Sequence, residues 1–279
     1  MDNDIKQILM KNNALIRTKY NLTTLENRIF VYILFNLQKA DTYTMICEIS
    51  IKELKDTVIK SRVQKYDKEL LEEILKKLKK GEIDYIDHEG FGSSNFIYSF
   101  KFIENDTKIR IKADKDVYDL LKSYVRGYTP IDLNIFFNLR NAYSQRFYDL
   151  FRLWSGTKKK IKYNIDDIKE MLKLKGEYKE YGQFKRRVIK PSISELEEKA
   201  NMIIDFKEVK ECRKVVALEF TVDDKEPRKY FEKNNKTVQD HQEKKSYNKK
   251  SKELKFKNFD ERTYDYDELE KKLLGWSDD

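Results

Sequence analysis

An α+β fold of two tandem winged helix-turn-helix domains related by internal duplication, followed by a disordered C-terminal tail, is predicted by three observations. The chain carries the same unit twice, offset by about 114 residues. Ser50-Ile51-Lys52-Glu53-Leu54-Lys55-Asp56 lines up with Asn164-Ile165-Asp166-Asp167-Ile168-Lys169-Glu170, and Leu70, Ile74 and Leu75 then fall on Phe184, Val188 and Ile189 without a gap. Each copy reads cap, short helix, polar turn, longer helix, strand; with a β-hairpin after the second helix, this is the order of a winged helix, whose second helix enters a DNA major groove. From Lys225 to Asn258 the chain is almost free of aliphatic residues. The domains expected are residues 1–127, 128–224, a basic tether 225–258 and an acidic amphipathic motif 259–279.

In the first unit, Leu22-Thr23-Thr24-Leu25-Glu26 offers a Thr cap with an acidic first turn, and Ile29, Phe30, Ile33, Leu34 and Leu37 follow at helical spacing. A strand Met45 to Ile49 ends at Ser50, the N-cap of a helix to Ile59; the turn Lys60 to Lys65 leads into a helix Tyr66 to Lys80 that Gly81 stops. Ile83 to Asp87, Phe96 to Ile103 and Lys108 to Lys112 read as wing strands, and Asp116 to Val125 as a closing helix. Gly127-Tyr128-Thr129-Pro130 reads as a linker.

The second unit repeats the order. Asn141 to Trp154 carries Phe147, Leu150, Phe151 and Trp154 on one face; strand Ile161 to Tyr163, cap Asn164, helix Ile165 to Leu172, turn Lys173 to Glu180 and helix Tyr181 to Ala200 follow. Pro191 should kink or break that last helix. Strands Met202 to Val209 and Lys214 to Val222 turn at Glu211-Cys212-Arg213.

The length accommodates two domains, each with its own core. Lys+Arg 58 against Asp+Glu 49 leaves a formal charge of +9, compatible with a polyanionic partner. No apolar run approaches the about 20 residues that span a bilayer, and no leader opens the chain, so no membrane association and a cytoplasmic location are expected. Cys47 and Cys212 lack the spacing of a zinc site or the density of a disulfide scaffold; both read as core or near-core thiols.

The strongest candidate for base contact is Lys179-Glu180-Tyr181-Gly182-Gln183-Phe184-Lys185-Arg186-Arg187-Val188-Ile189-Lys190. Phe184, Val188 and Ile189 face the core, which leaves Gln183, Arg186, Arg187 and Lys190 for solvent or DNA. Arg forks onto guanine and Gln onto adenine, each good pair supplying roughly 1–3 kcal/mol of discrimination. Lys173, Lys175, Lys179 and Lys185 suit phosphates. A solvated basic helix face has the same pattern. The first unit's equivalent surface, Lys60, Arg62, Lys65 and Lys68, is followed at once by Glu69, Glu72 and Glu73, so weaker or phosphate contacts are expected there. Lys108 and Arg110 lie on an alternating strand suited to backbone clamping, as an ordinary amphipathic strand would be.

The tether carries an excess of about seven positive charges. Beyond it, Tyr266, Leu269, Leu273 and Trp276 share one helical face behind an Asp265/Glu268 cap, a pattern that fits a docking peptide for another protein or a helix packed back on its own domain. There is no phosphate-binding loop of the Gly-x-x-x-x-Gly-Lys-Ser/Thr type. With only His88 and His241, neither a histidine metal pair beside a nucleophilic Tyr nor a Ser/His/Asp triad can form. Binding without catalysis, and no cofactor or metal, is the expectation.

Three segments carry a resemblance. Asn13-Ala14-Leu15-Ile16 with Tyr20 to Arg28, then Tyr143-Ser144-Gln145-Arg146-Phe147-Tyr148-Asp149-Leu150-Phe151, then Phe184 to Ile189 with Pro191, resemble the iteron-binding plasmid replication initiators of the Rep type, from about Asn12 to Val222. The resemblance implies two duplicated winged-helix domains on one face of a repeated origin sequence, the second supplying most of the specificity. It implies monomers that bind direct repeats, open the origin and recruit a host helicase or loader, and dimers, made through the first domain, that repress the initiator's own gene at a promoter inverted repeat. By position, the Tyr181 to Lys190 helix becomes the principal reader, and the Lys60 to Lys68 surface a secondary reader or dimer contact. The tail lies outside the likeness; its apolar stripe fits docking of a host replication protein. Two winged helices on one face engage grooves roughly 10 bp apart. A winged-helix transcriptional repressor, a rolling-circle DNA-nicking enzyme and a scaffold that binds no DNA are the competing readings, the second disfavoured by the missing histidine pair.

Overall fold

The computed structural model describes residues 7–40, 44–59, 68–86, 90–122 and 127–225. The expected turn Lys60 to Lys65, His88, His241 and the tail motif with Tyr266, Leu269, Leu273 and Trp276 lie outside them.

The first half runs β1 (Ile8–Asn12), α1 (Asn13–Arg17), α2 (Thr24–Lys39), β2 (Ile46–Ser50), α3 (Ile51–Leu54) with a π turn (Lys55–Ile59), α4 (Lys68–Lys80), β3 (Glu82–Ile86), β4 (Phe91–Asn95), β5 (Ile97–Ile103), β6 (Lys108–Ala113) and α5 (Lys115–Lys122). The second repeats it as β7 (Tyr128–Asp132), α6 (Leu133–Asn138), α7 (Ala142–Trp154), β8 (Lys160–Asn164), α8 (Ile165–Met171), α9 (Tyr181–Phe184) with a π turn (Lys185–Ile189), α10 (Lys190–Lys199), β9 (Met202–Glu211) and β10 (Lys214–Asp224). Each half builds an antiparallel three-stranded sheet of the same topology, β2-β6-β5 and β8-β10-β9. The strand entering the helix-turn-helix pairs with the last strand of the wing hairpin in both. These are two winged helices.

Local chemistry sets the helix starts. The Thr23 hydroxyl accepts from the Glu26 N–H and the Glu26 carboxylate accepts from the Thr23 N–H, a reciprocal cap that satisfies two orphan donors of α2. Ser50 caps α3 through the Glu53 N–H. Asn164 precedes α8 as expected, but its side chain donates to Asp167 and accepts nothing from the helix backbone.

The segment Gly127 to Pro130 is not a linker. From Tyr128 it forms β7, which pairs antiparallel with β1, Met10 standing opposite Pro130 at the centre. Proline has no N–H to give a ladder, so it is tolerated where its outer edge asks only for a carbonyl. Here the Pro130 carbonyl accepts from Arg152 Nε and Nη2 at 3.2 and 2.9 Å. Opposite, Met10 keeps both groups, and Gln38 serves both, accepting from the N–H at 3.0 Å and donating to the carbonyl at 2.9 Å. An amide faces the residue with donor and acceptor; a guanidinium faces the residue with an acceptor alone. A second departure is β4, whose Gly/Ser-rich sequence pairs with β3 as an added hairpin.

Nor do the halves keep separate cores. The buried side chains form one cluster from Leu9 to Val222. In the first half Tyr20, Phe30 and Phe96 meet edge to face at 4.9–6.3 Å. In the second, Phe220 of the wing sheet packs on Phe147 and Phe151 of α7 at 6.1 and 5.1 Å. Each such fully buried ring contributes about 1.5–3 kcal/mol. Polar groups then key the halves together. Lys11 of β1 bonds Asp149 of α7 at 2.6 Å with both side chains essentially inaccessible. Arg146 lies 3.7 Å from the same carboxylate, donates to the Thr18 carbonyl at 2.7 Å and stacks 4.1 Å above the Tyr20 ring. Asn27 donates to Gln145 at 2.9 Å. A buried ion pair adds little net stability but penalises every arrangement that separates it, so these contacts specify how the halves dock. No helix among the described residues is long and apolar enough to cross a membrane.

Candidate nucleic-acid interface

The longer helix of the second helix-turn-helix is continuous from Tyr181 to Lys199. Pro191 does not break it. A proline ring crowds the carbonyl four residues back and offers no N–H, and the helix accommodates this by widening into the π turn Lys185–Ile189 just before α10, with the Lys190 N–H donating five residues back to Lys185.

Phe184, Val188 and Ile189 are fully buried, as the repeat requires. Val188 and Ile189 are adjacent, as their repeat partners Ile74 and Leu75 are on α4, where both are also buried. Gln183, Arg186, Arg187 and Lys190 are exposed on the opposite side, and among the described residues none of the three cations has a carboxylate partner. Lys175 and Lys179, on the preceding loop, are likewise exposed and without ion pairs among the described residues. With Asp166, Lys169, Glu170, Gly176 and Glu177 they line a shallow cavity of about 350 Å³.

The remaining second-half candidates are occupied. Lys173, with φ +49°, pairs with Asp84 of β3 at 3.0 Å, a contact between the halves. Burial pushes the Asp84 carboxyl up, but the bonds from Lys173 and Ser93 outweigh it and hold the group below its ordinary value. Lys185 Nζ bonds Glu208 of β9 at 2.6 Å, and the Tyr181 hydroxyl donates to the same oxygen at 2.9 Å. Burial, with the Glu208 charge beside it, raises the Tyr181 phenol above its ordinary range; the donated bonds of Lys185 and Tyr181 lower Glu208.

The first half looks different. Lys68 pairs with Asp106 at 2.6 Å, Lys108 with Glu104 at 2.9 Å and Arg110 with Glu48 directly across the β2–β6 ladder at 2.8 Å. Ile109 and Ile111 are buried while Lys108 and Arg110 turn outward, so the alternation expected of this strand holds, but its cations are matched by acids. On α4, Glu72 and Glu73 pair with Lys76 and Lys77. Lys60, Arg62 and Lys65 lie outside the described residues.

One cluster was not anticipated. Lys207, Lys210, Arg213 and Lys214 are exposed around the tip of the β9–β10 hairpin, on the same strand as Glu208 or beside its turn. Their signal in the sequence is three lysines bracketing a two-residue turn, Cys212-Arg213, that carries the fourth cation. Cys212, expected near the core, sits exposed in that turn at φ +54°, whereas Cys47 is buried and its thiol pushed up to about 12 by desolvation. Among the described residues no group of three or more His, Cys, Asp or Glu is placed to hold a metal.

Two family models match the chain. The one described as initiator replication protein, WH1, covers residues 8–152, and the one described as initiator Rep protein, WH2, covers residues 164–222. No curated protein matches. Among solved structures, a crystal structure of domains 2 and 3 of RctB, determined on selenomethionine derivatives, is similar at 12% sequence identity with a TM-score of 0.45, over 75% of this chain and 86% of that one.

Proposed function

The chain belongs to the initiator replication protein family, and from that membership we propose that it binds tandem direct repeats at a plasmid origin through the exposed face of α9 to α10, without catalytic activity of its own. It is a DNA-binding replication initiator with two winged-helix domains. The finer reading is as follows. Monomers occupy the repeats in the cytoplasm, open or mark the origin and recruit a host helicase or its loader. Dimers made through the first half repress the initiator's gene at a promoter inverted repeat. Through this occupancy the protein sets copy number.

The observation that carries the reading is the unmatched face Gln183, Arg186, Arg187 and Lys190 on the helix that a winged helix offers to the major groove. Arginine and glutamine are the side chains whose paired donors and acceptors fit guanine and adenine edges, at roughly 1–3 kcal/mol of discrimination each. Lys175 and Lys179 before the helix, and Lys207, Lys210, Arg213 and Lys214 on the wing, flank it with charge for the backbone on either side.

The test is a nuclease footprint of the protein on the DNA flanking its gene, at several salt concentrations. Regularly spaced protection of tandem direct repeats is expected, each covering about two helical turns. Protection confined to an inverted repeat over the promoter would identify a repressor. A tyrosyl-DNA adduct trapped on the same DNA would overturn the non-catalytic reading.

A further inference from the structure

Glu208 stands where the reader helix meets its wing. One of its carboxylate oxygens takes two donors, Lys185 Nζ at 2.6 Å and the Tyr181 hydroxyl at 2.9 Å, and the other lies 4.0 Å from Lys210. Tyr181 and Lys185 are four residues apart and so share one side of the helix, turned toward β9. The Lys185 ammonium also lies 5.5 Å from the Phe206 ring, which holds its stem against the sheet. Arg186 and Arg187, next in sequence, have no such partner among the described residues.

We propose that Glu208 is a specificity-determining residue: it retains Lys185 and Tyr181 against the wing, so that this cation is withheld from the DNA backbone and the first turn of the reader helix is held in one orientation. The inference rests on the reading of α9 to α10 as the DNA reader and deepens it. A flexible lysine finds a phosphate in any register and therefore strengthens binding to every sequence. In the registered complex the base contacts of Gln183, Arg186 and Arg187 dictate where the phosphates lie, and an added cation there gains less. Releasing Lys185 thus narrows the gap between correct and incorrect DNA. Glu208 is held below the ordinary carboxylate range by its two donors, so it is charged at neutral pH.

The experiment measures affinity against salt concentration for the wild type, Glu208→Gln, Lys185→Ala and the double variant. The probes are the repeat protected in the footprint and a scrambled duplex of equal length. Glu208→Gln keeps an acceptor for Tyr181 and removes the charge. It is expected to bind the scrambled duplex severalfold more tightly, with the slope of log K on log salt steeper by about 0.9, and to lose discrimination. Lys185→Ala is expected to leave the wild-type slope on scrambled DNA unchanged but to lower that of Glu208→Gln. A shallower slope for Lys185→Ala in the wild-type background would show that Lys185 already contacts phosphate and would overturn the proposal, as would an unaltered slope in Glu208→Gln. Because Lys185→Ala only truncates a part-exposed side chain, it can still overturn the proposal even if Glu208→Gln folds poorly. A wild type that fails to distinguish the two duplexes would overturn the DNA-reading assignment itself, a result separate from any difference between variants.

Discussion

Both halves of the molecule place basic residues near the helix and strand that a winged helix turns toward DNA, yet those residues keep different company. In the first half Lys68, Lys108 and Arg110 each meet an acid from a neighbouring element: Asp106 and Glu104 of the wing turn, and Glu48 across the sheet. In the second, Arg186, Arg187, Lys190, Lys175 and Lys179 form no ion pair among the described residues. A count of cations would rank the two surfaces together; the location of the acids separates them. Among the described residues, the first-half candidates are all matched by acids, whereas the second half combines matched cations, Lys173 and Lys185, with unmatched ones. Under the proposed function, sequence reading falls to the second half.

The largest effect expected comes from undoing the lock that makes the two halves a single body. Asp149→Ala leaves Lys11 and Arg146 buried without a countercharge, and a loss of about 3–5 kcal/mol of unfolding free energy is expected in a urea titration. Replacing Lys11 by Met and Asp149 by Leu together should recover part of it, because this removes the orphaned Lys11 charge while Arg146 still lacks its carboxylate. Cutting the exposed Arg110/Glu48 pair should cost under about 1 kcal/mol, so equal losses at the two sites would contradict the account of the interface.

Next in size are the readers themselves. Arg186→Ala or Arg187→Ala should each remove roughly 1–3 kcal/mol of preference for the cognate repeat, about 5- to 150-fold by anisotropy titration. Lys68→Ala, Lys108→Ala and Arg110→Ala should each change that affinity by no more than about twofold, as expected for cations already matched at the surface. A first-half substitution as damaging as Arg186→Ala would break the contrast outright. Smaller still, Lys175→Ala and Lys179→Ala should weaken binding to all sequences alike and lower the salt slope by about 0.9 each if both reach phosphate.

Much of this was legible in the chain because it rests on neighbours. Thr23 and Glu26 form their reciprocal cap within one turn, and the alignment of Leu70, Ile74 and Leu75 with Phe184, Val188 and Ile189 places the buried side of the reader helix, hence its exposed side. What stayed hidden depends on partners far along the chain. Gly127 to Pro130 has loop composition; its pairing with β1, more than a hundred residues away, and the Gln38 and Arg152 side chains that serve the outer edges of Met10 and Pro130, come from far along the chain. The Phe91 to Asn95 strand is polar, and a Cβ at its Gly92 would lie 2.4 Å from the end of the Tyr85 ring, which would have to shift. Lys173 and Lys185 look like phosphate ligands by type; Asp84 and Glu208, which engage them, are visible only once the sheets are folded.

The Asp84 contact gives the smallest effect and the finest test of the comparison, since there an acid of the first half engages a cation of the second. Lys173 and Ser93 depress the Asp84 carboxyl in the folded protein despite its burial. A group whose pKa is lower folded than unfolded contributes stability that is present above its unfolded value and disappears as pH falls through the folded one. The Asp84 contribution is therefore complete at neutral pH, begins to fade as pH drops past the ordinary aspartate value of 3.8 and is gone below the depressed one. Asp84→Asn should lower the unfolding midpoint slightly at pH 7 and lose less stability than the wild type on acidification, the two curves converging in strong acid. It should also free Lys173 and steepen the salt dependence of DNA binding, making the second half more indiscriminate. Parallel pH profiles with an unchanged salt slope would mean that this pair neither couples the halves nor withholds a cation from DNA, and the matching of charge by distant acids would then be confined to the first half and to Glu208.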